Sequence, residues 1–148
     1  MQEAMFHYPL RQHIGAAGVP VVAAGDTVRR GELLARRPEG GLGVNLFSSV
    51  SGTVTAVTAD AITVRAEGAQ RDDYVPLQGD TPLRLIEDSG LVGLGGAGFP
   101  TWAKVSKPFT GGGAVIVNAA ECKPILCHNI AAIEENPTRL VRGLQILM

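Results

Sequence analysis

Ser48-Ser-Val-Ser-Gly-Thr-Val-Thr-Ala-Val57, continued past an Asp60 turn by Ile62-Thr-Val64, decides the fold of the first half of the chain. Short β-branched runs broken by turn residues read as strands. The same signature extends upstream. Val19-Pro-Val-Val22 leads to Gly25-Asp26, then to Val28, Gly31 and Leu33-Leu34. Residues 14 to 64 therefore predict compact all-β structure with tight turns and no helix. Each half has a glycine-centred turn and a β-branched strand, which hints at two quasi-equivalent halves.

Beyond this unit the composition changes. Residues 65 to 82 are polar and carry Asp72-Asp73, Pro76, Gly79-Asp80 and Pro82, as a connector does. The expected organisation is a β unit over residues 1–76, a linker over 77–89 and an α/β domain over 90–148. Leu83 to Asp88 reads as a short amphipathic helix stopped at Ser89-Gly90. A glycine-rich loop comes next, and Pro100 is placed to start a helix at its first position. Ala114-Val-Ile-Val-Asn118 has the length and apolar continuity of a buried parallel strand, expected in mid-sheet. Helical patterning begins at Ile125. Asn136-Pro137 reads as an N-cap with proline behind it, opening a helix whose Leu140, Val141, Leu144 and Leu147 share a face. No cap comes after Met148, so the expectation is that the chain ends inside a domain.

Composition narrows the function classes. The 148 residues are 45% hydrophobic and 18% charged, with a formal net charge of −1. Without a basic stripe there is no footprint for a phosphodiester backbone, so nucleic acid is not an expected partner. The longest apolar runs are too short to span a bilayer, and direct membrane insertion is not expected. The N-terminus lacks the pattern of a secretory leader, which reads as cytoplasmic. Nineteen glycines are an excess without a collagen-like period. They point to turns and ligand loops.

The β unit resembles the sandwich of biotinyl and lipoyl carriers through Gly25-Asp26, Val28, Gly31 and Leu33 and through Ser49-Val-Ser-Gly52. A carrier needs a lysine at a hairpin tip. The lysines are Lys104, Lys107 and Lys123, all beyond the unit, which leaves it as scaffold or docking surface. Gly93-Leu-Gly95-Gly-Ala-Gly98 satisfies G-x-G-x-x-G, but a dinucleotide loop requires a strand before it and a helix straight after. Here a helix is expected before it, and Phe99-Pro100 interrupts the continuation. The glycines still offer bare backbone N–H groups to an anion, and Lys104 lies within reach of one. Asn118 and Glu121 fall where an α/β crevice opens, after the expected strand. Cys122 and Cys127 lack the second pair that a zinc or iron–sulfur site uses, and buried free thiols are expected. No metal ligand or catalytic residue is assigned.

Gly90-Leu-Val-Gly-Leu-Gly-Gly-Ala-Gly-Phe-Pro-Thr101 with Lys104, followed by Val117-Asn-Ala-Ala-Glu-Cys-Lys-Pro124, resembles the RnfC subunit of the Rnf-type electron-transport complexes. Gln12-His-Ile-Gly-Ala16, Gly25-Asp-Thr-Val28 and Ser48 to Val54 resemble the N-terminal part of that family in the same order. The glycine loop is also similar to that of the NADH-binding subunit of respiratory complex I. The resemblance implies an α+β chain in two parts. A barrel-sandwich hybrid would come first, then the opening of a Rossmann-like α/β flavin-binding domain.

By position, Gly93, Gly95, Gly96 and Gly98 would line FMN, Lys104 would contact its phosphate or ring side, and Asn118 and Glu121 would hydrogen-bond it. Phe99 would lie near the nicotinamide of NADH, the implied electron donor. Lys123 departs from the family's usual glutamate, and Ala120 from the aspartate of complex I. The implied role is electron input from NADH through FMN to 4Fe-4S centres outside this stretch, in a membrane-associated complex. The chain would sit peripherally at the inner face of the cell membrane among the other subunits. Oxidoreductase activity would belong to the longer protein. Alternatives are a docking or scaffold module without catalysis, or a proline-reductase-associated branch of the same family.

Overall fold

A computed structural model describes residues 4–70, 72–94, 96–107, 111–121 and 123–148. Two compact units are present, Met1–Ser106 and Lys107–Met148. The first contains strands β1 (Met5–Pro9), β2 (Val19–Pro20), β3 (Thr27–Val28), β4 (Leu33–Arg36), β5 (Leu46–Phe47), β6 (Gly52–Val57) and β7 (Ala61–Ala66). Helices α1 (Pro82–Asp88) and α2 (Thr101–Val105) complete it.

The strands form two sheets, in the orders β1-β7-β6-β3 and β2-β4-β5, and every pairing is antiparallel. Neither closes into a barrel. The sheets interleave along the chain, so the two sequence halves do not each make one sheet. The β6–β7 hairpin is the centre. Val54 pairs with Val64 and Val57 with Ile62, and a register shift after Val54 bends the ladder. Ile62 and Val64 are fully buried, whereas Thr63 between them turns outward and its hydroxyl pairs with His7 Nδ1 at 3.0 Å. This is the period-two pattern of a half-buried strand.

Val28, Leu34, Ala35, Val50 and Val54 join Ile62 and Val64 in the core, with Tyr8 and Leu10 at its margin. Removing each large side chain from water contributes about 1.5–3 kcal/mol. The Tyr8 hydroxyl stays satisfied because it accepts from the Ser49 backbone N–H at 3.0 Å. The all-β expectation for residues 14 to 64 therefore agrees with the structure.

Helix α1 lies within the stretch read as linker. Thr81 caps it, its hydroxyl accepting from the Arg84 N–H at 3.2 Å, and Pro82 occupies the first turn. Gly90 ends it with φ +72°, and a methyl group there would overlap the Asn45 carbonyl oxygen. Only glycine meets both demands.

The second unit contains α3 (His128–Glu135) and α4 (Pro137–Leu147). Asn136 caps α4 through its side chain, which accepts from the Arg139 N–H at 3.1 Å, as the Asn-Pro pair predicts. Three expectations need correction. Ala114 to Asn118 forms no strand and Ile116 is 84% exposed, because no described residue of this unit supplies a ladder partner for its backbone. Helix α3 starts at His128 and not at Ile125, whose φ of +75° is incompatible with a right-handed turn. Pro100 is the N-cap of α2, one position before the expected site.

Candidate functional site

Leu91 to Thr101 is a pinched loop. The Gly93 N–H donates to the Phe99 carbonyl at 2.9 Å and the Thr101 N–H to the Leu91 carbonyl at 3.0 Å, with Val92 and Pro100 opposed as an antiparallel bridge. Leu94 is 97% exposed. Helix α1 precedes the loop and a bridge separates it from α2. That arrangement excludes the strand–loop–helix of a dinucleotide fingerprint, as Phe99-Pro100 foretold.

The far side of the loop is anchored to the chain after β1. The Ile14 N–H donates to the Ala97 carbonyl at 2.8 Å. Gly98 has φ +64°, and a methyl group on it would press to 3.2 Å from His13 Cβ. The positive φ favours glycine at this position, and the neighbour leaves little room for a side chain. Gly96 has open space around it and Gly95 lies outside the described residues.

Lys104, on α2, reaches back over this loop. Its Nζ is 5.6 Å from the centroid of the Phe99 ring. A methyl group on Gly93 would stand 3.8 Å from that Nζ and 3.7 Å from the Phe99 carbonyl oxygen. The Lys104 ammonium therefore stands near both the backbone at Gly93 and the Phe99 ring. A cation beside bare backbone and an aromatic ring suits an anionic, planar ligand.

Asn118 and Glu121 belong to the second unit, and each has a local partner. Asn118 Oδ1 accepts from the Ala120 N–H at 2.9 Å, closing a turn. The Glu121 carboxylate accepts from the Asn129 backbone N–H at 2.6 Å and from its side-chain amide at 3.1 Å. It satisfies an otherwise orphaned donor in the first turn of α3. His128 Nδ1 stands 3.3 Å from the same carboxylate. Asn118, Asn129, Asn136 and Arg139 line an open cavity of about 540 Å³ within this unit. Cys127 is a free, exposed thiol, contrary to the expected burial, because its segment precedes a helix with no buried residue. Cys122 lies outside the described residues.

Sequence reasoning passes over Trp102 and Arg37. The Trp102 indole N–H donates to the Gly43 carbonyl at 2.7 Å, and the Arg37 guanidinium lies 4.3 Å from the indole centroid. Arg37 is also ion-paired with Glu87 of α1. The available signal was the chain's lone tryptophan beside the loop.

The described residues thus form a two-sheet antiparallel unit followed by a glycine loop beside a lysine. Residues 1–73 match the family model described as the RnfC barrel sandwich hybrid domain, and residues 86–148 match the Nuo51 FMN-binding domain. The chain belongs to the RnfC-like family. It is 34% identical over 160 residues to the C subunit of the proton-translocating ferredoxin:NAD(+) oxidoreductase complex of Clostridium ljungdahlii, covering 95% of this chain and 34% of that one. It is also 35% identical over 159 residues to the C subunit of the ion-translocating oxidoreductase complex of Pseudomonas aeruginosa, covering 95% of this chain and 20% of that one. Identity to the protein of the same name from Serratia proteamaculans is 32%, over 96% of this chain and 22% of that one. The chain spans between a fifth and about a third of the length of these relatives.

Proposed function

We propose that this chain supplies part of the FMN site of an electron-input subunit, which takes electrons from NADH and passes them through FMN to 4Fe-4S centres in the C-terminal part of the longer protein. The observation that carries the reading is the approach of the Lys104 ammonium to the glycine loop at Gly93 and to the Phe99 ring. The FMN-binding family match over the same residues supports it.

FMN fits the residues present. Its phosphate is a dianion for Lys104, and its flat ring requires close backbone approach, which glycine permits. Gly93, Gly95, Gly96 and Gly98 would line it, and Phe99 would stand beside the nicotinamide. When bound, the flavin converts hydride input into single-electron output. The positive Nζ of Lys104 would bind an anionic group of the ligand, and the hydrogen-bonded loop would hold its backbone donors in one geometry. The sandwich, with no lysine in residues 1–76, serves as scaffold or docking surface.

The proposed organisation is a sandwich over 1–76, a connector over 77–89 and a Rossmann-like flavin domain beginning at 90. Partners would be the other subunits of the complex, with the chain peripheral at the inner face of the membrane. Among the described residues no helix is long and apolar enough to cross a membrane. A docking module without electron transfer is the second reading, favoured by the capping role of Glu121 and by Lys123.

Anaerobic addition of NADH to the purified full-length protein is expected to bleach the flavin absorbance near the visible maximum. Bleaching by dithionite but not by NADH would remove NADH from the proposed reaction and leave a different donor. A flavin reduced by neither would favour the docking module.

A further inference from the structure

Helix α2 has five residues, none of them buried, and its N-cap Pro100 offers no side-chain hydrogen bond. A helix this short does not hold itself in water. Its placement must come from outside, and Trp102 is the residue that reaches outside. Its indole N–H donates to the carbonyl of Gly43, 59 residues earlier, at 2.7 Å. Its ring face receives the Arg37 guanidinium at 4.3 Å. Glu87 of α1 pairs with Arg37 and also accepts from Arg84 at 3.0 Å, so the guanidinium is held between a carboxylate and an indole. Arg37 Nη1 is buried with no hydrogen-bond partner, which leaves the indole face to compensate it.

Residues two apart on an α-helix point about 200° away from each other. With Trp102 fastened toward the Arg37–Val44 connection, Lys104 is directed to the other side of α2, where its Nζ overhangs Gly93 and Phe99. We propose that Trp102 is a positioning residue for Lys104, clamping α2 to the sandwich through Gly43 and Arg37 so that the lysine and the glycine loop keep one geometry. The clamp itself is independent of any ligand. Its consequence for FMN rests on the flavin reading given above.

The test is a double-substitution cycle in the full-length protein with two readouts, FMN affinity by flavin fluorescence quenching and amide hydrogen exchange without FMN. Trp102→Ala is expected to weaken FMN binding about tenfold, and to add less than about twofold when Lys104→Ala is already present, because residues in one network are non-additive. Trp102→Phe keeps a ring for Arg37 but loses the N–H, and should fall between. Exchange at the Gly93 and Thr101 amides should accelerate about tenfold or more in Trp102→Ala, with the Val54 and Val64 amides unchanged.

Full additivity of the two substitutions, or unchanged exchange at Gly93 and Thr101, would overturn the proposal. Faster exchange at Val54 and Val64 as well would also overturn it, since Trp102 would then be a general stability residue. If the unsubstituted protein takes up no FMN, the flavin reading fails by itself. The exchange arm then decides the clamp, which stands if the two loop amides accelerate and falls if they do not.

Discussion

Replacing Lys104 with alanine in the full-length protein is expected to weaken FMN retention by roughly one to two orders of magnitude. Hydrogen bonds to charged groups contribute about 1.5–3 kcal/mol, and about 1.4 kcal/mol is a factor of ten in affinity. The cation matters because its Nζ stands beside the bare backbone at Gly93, with the Phe99 ring 5.6 Å away. Lys104→Arg should retain most of the affinity, since charge and reach survive. Lys107→Ala should do little, as Lys107 lies in the exposed stretch after α2. Dialysis followed by absorbance of the retained flavin separates these variants. Equal losses from Lys104→Ala and Lys107→Ala would take Lys104 out of the site.

A second large effect is expected at Gly52, at the start of β6. A methyl group there would overlap the carbonyl oxygen of Arg65, on the paired strand, and that oxygen belongs to the backbone and cannot swing aside. Overpacking of this kind costs about 1–3 kcal/mol or more, and each kcal/mol lowers Tm by about 4–8 °C in a small domain. Gly52→Ala is therefore expected to lower the thermal midpoint by roughly 10–20 °C, read by circular dichroism at a β-sheet wavelength. The physical reason is that β6 crosses both β3 and β7 here, with Gly52 paired to Val28 on one side and Ala66 on the other. An unchanged midpoint would mean that the hairpin relaxes around the added carbon, and the close β6–β7 approach would not be a constraint.

Local chemistry carried much of the fold into plain sight. Thr53 to Val57 and Ile62 to Val64 announce the central hairpin because β-branched side chains fit a pleated, half-buried surface. Asn136-Pro137 marks the start of α4 because capping needs only three neighbouring residues. Ala114 to Asn118 misled for the converse reason. An apolar run of strand length is a strand only where another backbone pairs with it, and periodicity says nothing about that partner. Ile125 is similar, since an apolar residue ahead of a helix does not disclose its own φ.

The candidate site divides in the same way. The glycine loop and Lys104 were legible as residue types at short spacing, and the structure brings Lys104 to Gly93. The clamp of Trp102, Gly43, Arg37 and Glu87 was not legible, because it joins residues 50 and 59 positions apart. No periodic pattern encodes a contact of that range. Glu121 was legible as a polar residue near a crevice, yet its carboxylate is taken up by the first turn of α3, a local role that strand-end reasoning does not foresee.

Whether the loop from Gly93 to Gly98, with Lys104 above it, holds FMN is decided by the flavin content of the full-length protein, purified in the dark without added cofactor and then incubated with FMN and desalted. Flavin released by acid and quantified by fluorescence against protein concentration is predicted to approach equimolar in the unsubstituted protein. It should fall well below that in Gly93→Val, where a branched side chain replaces bare backbone beside the lysine amine. A protein that retains no FMN after this treatment, or a Gly93→Val variant that retains as much as the unsubstituted protein, would contradict FMN binding at this loop.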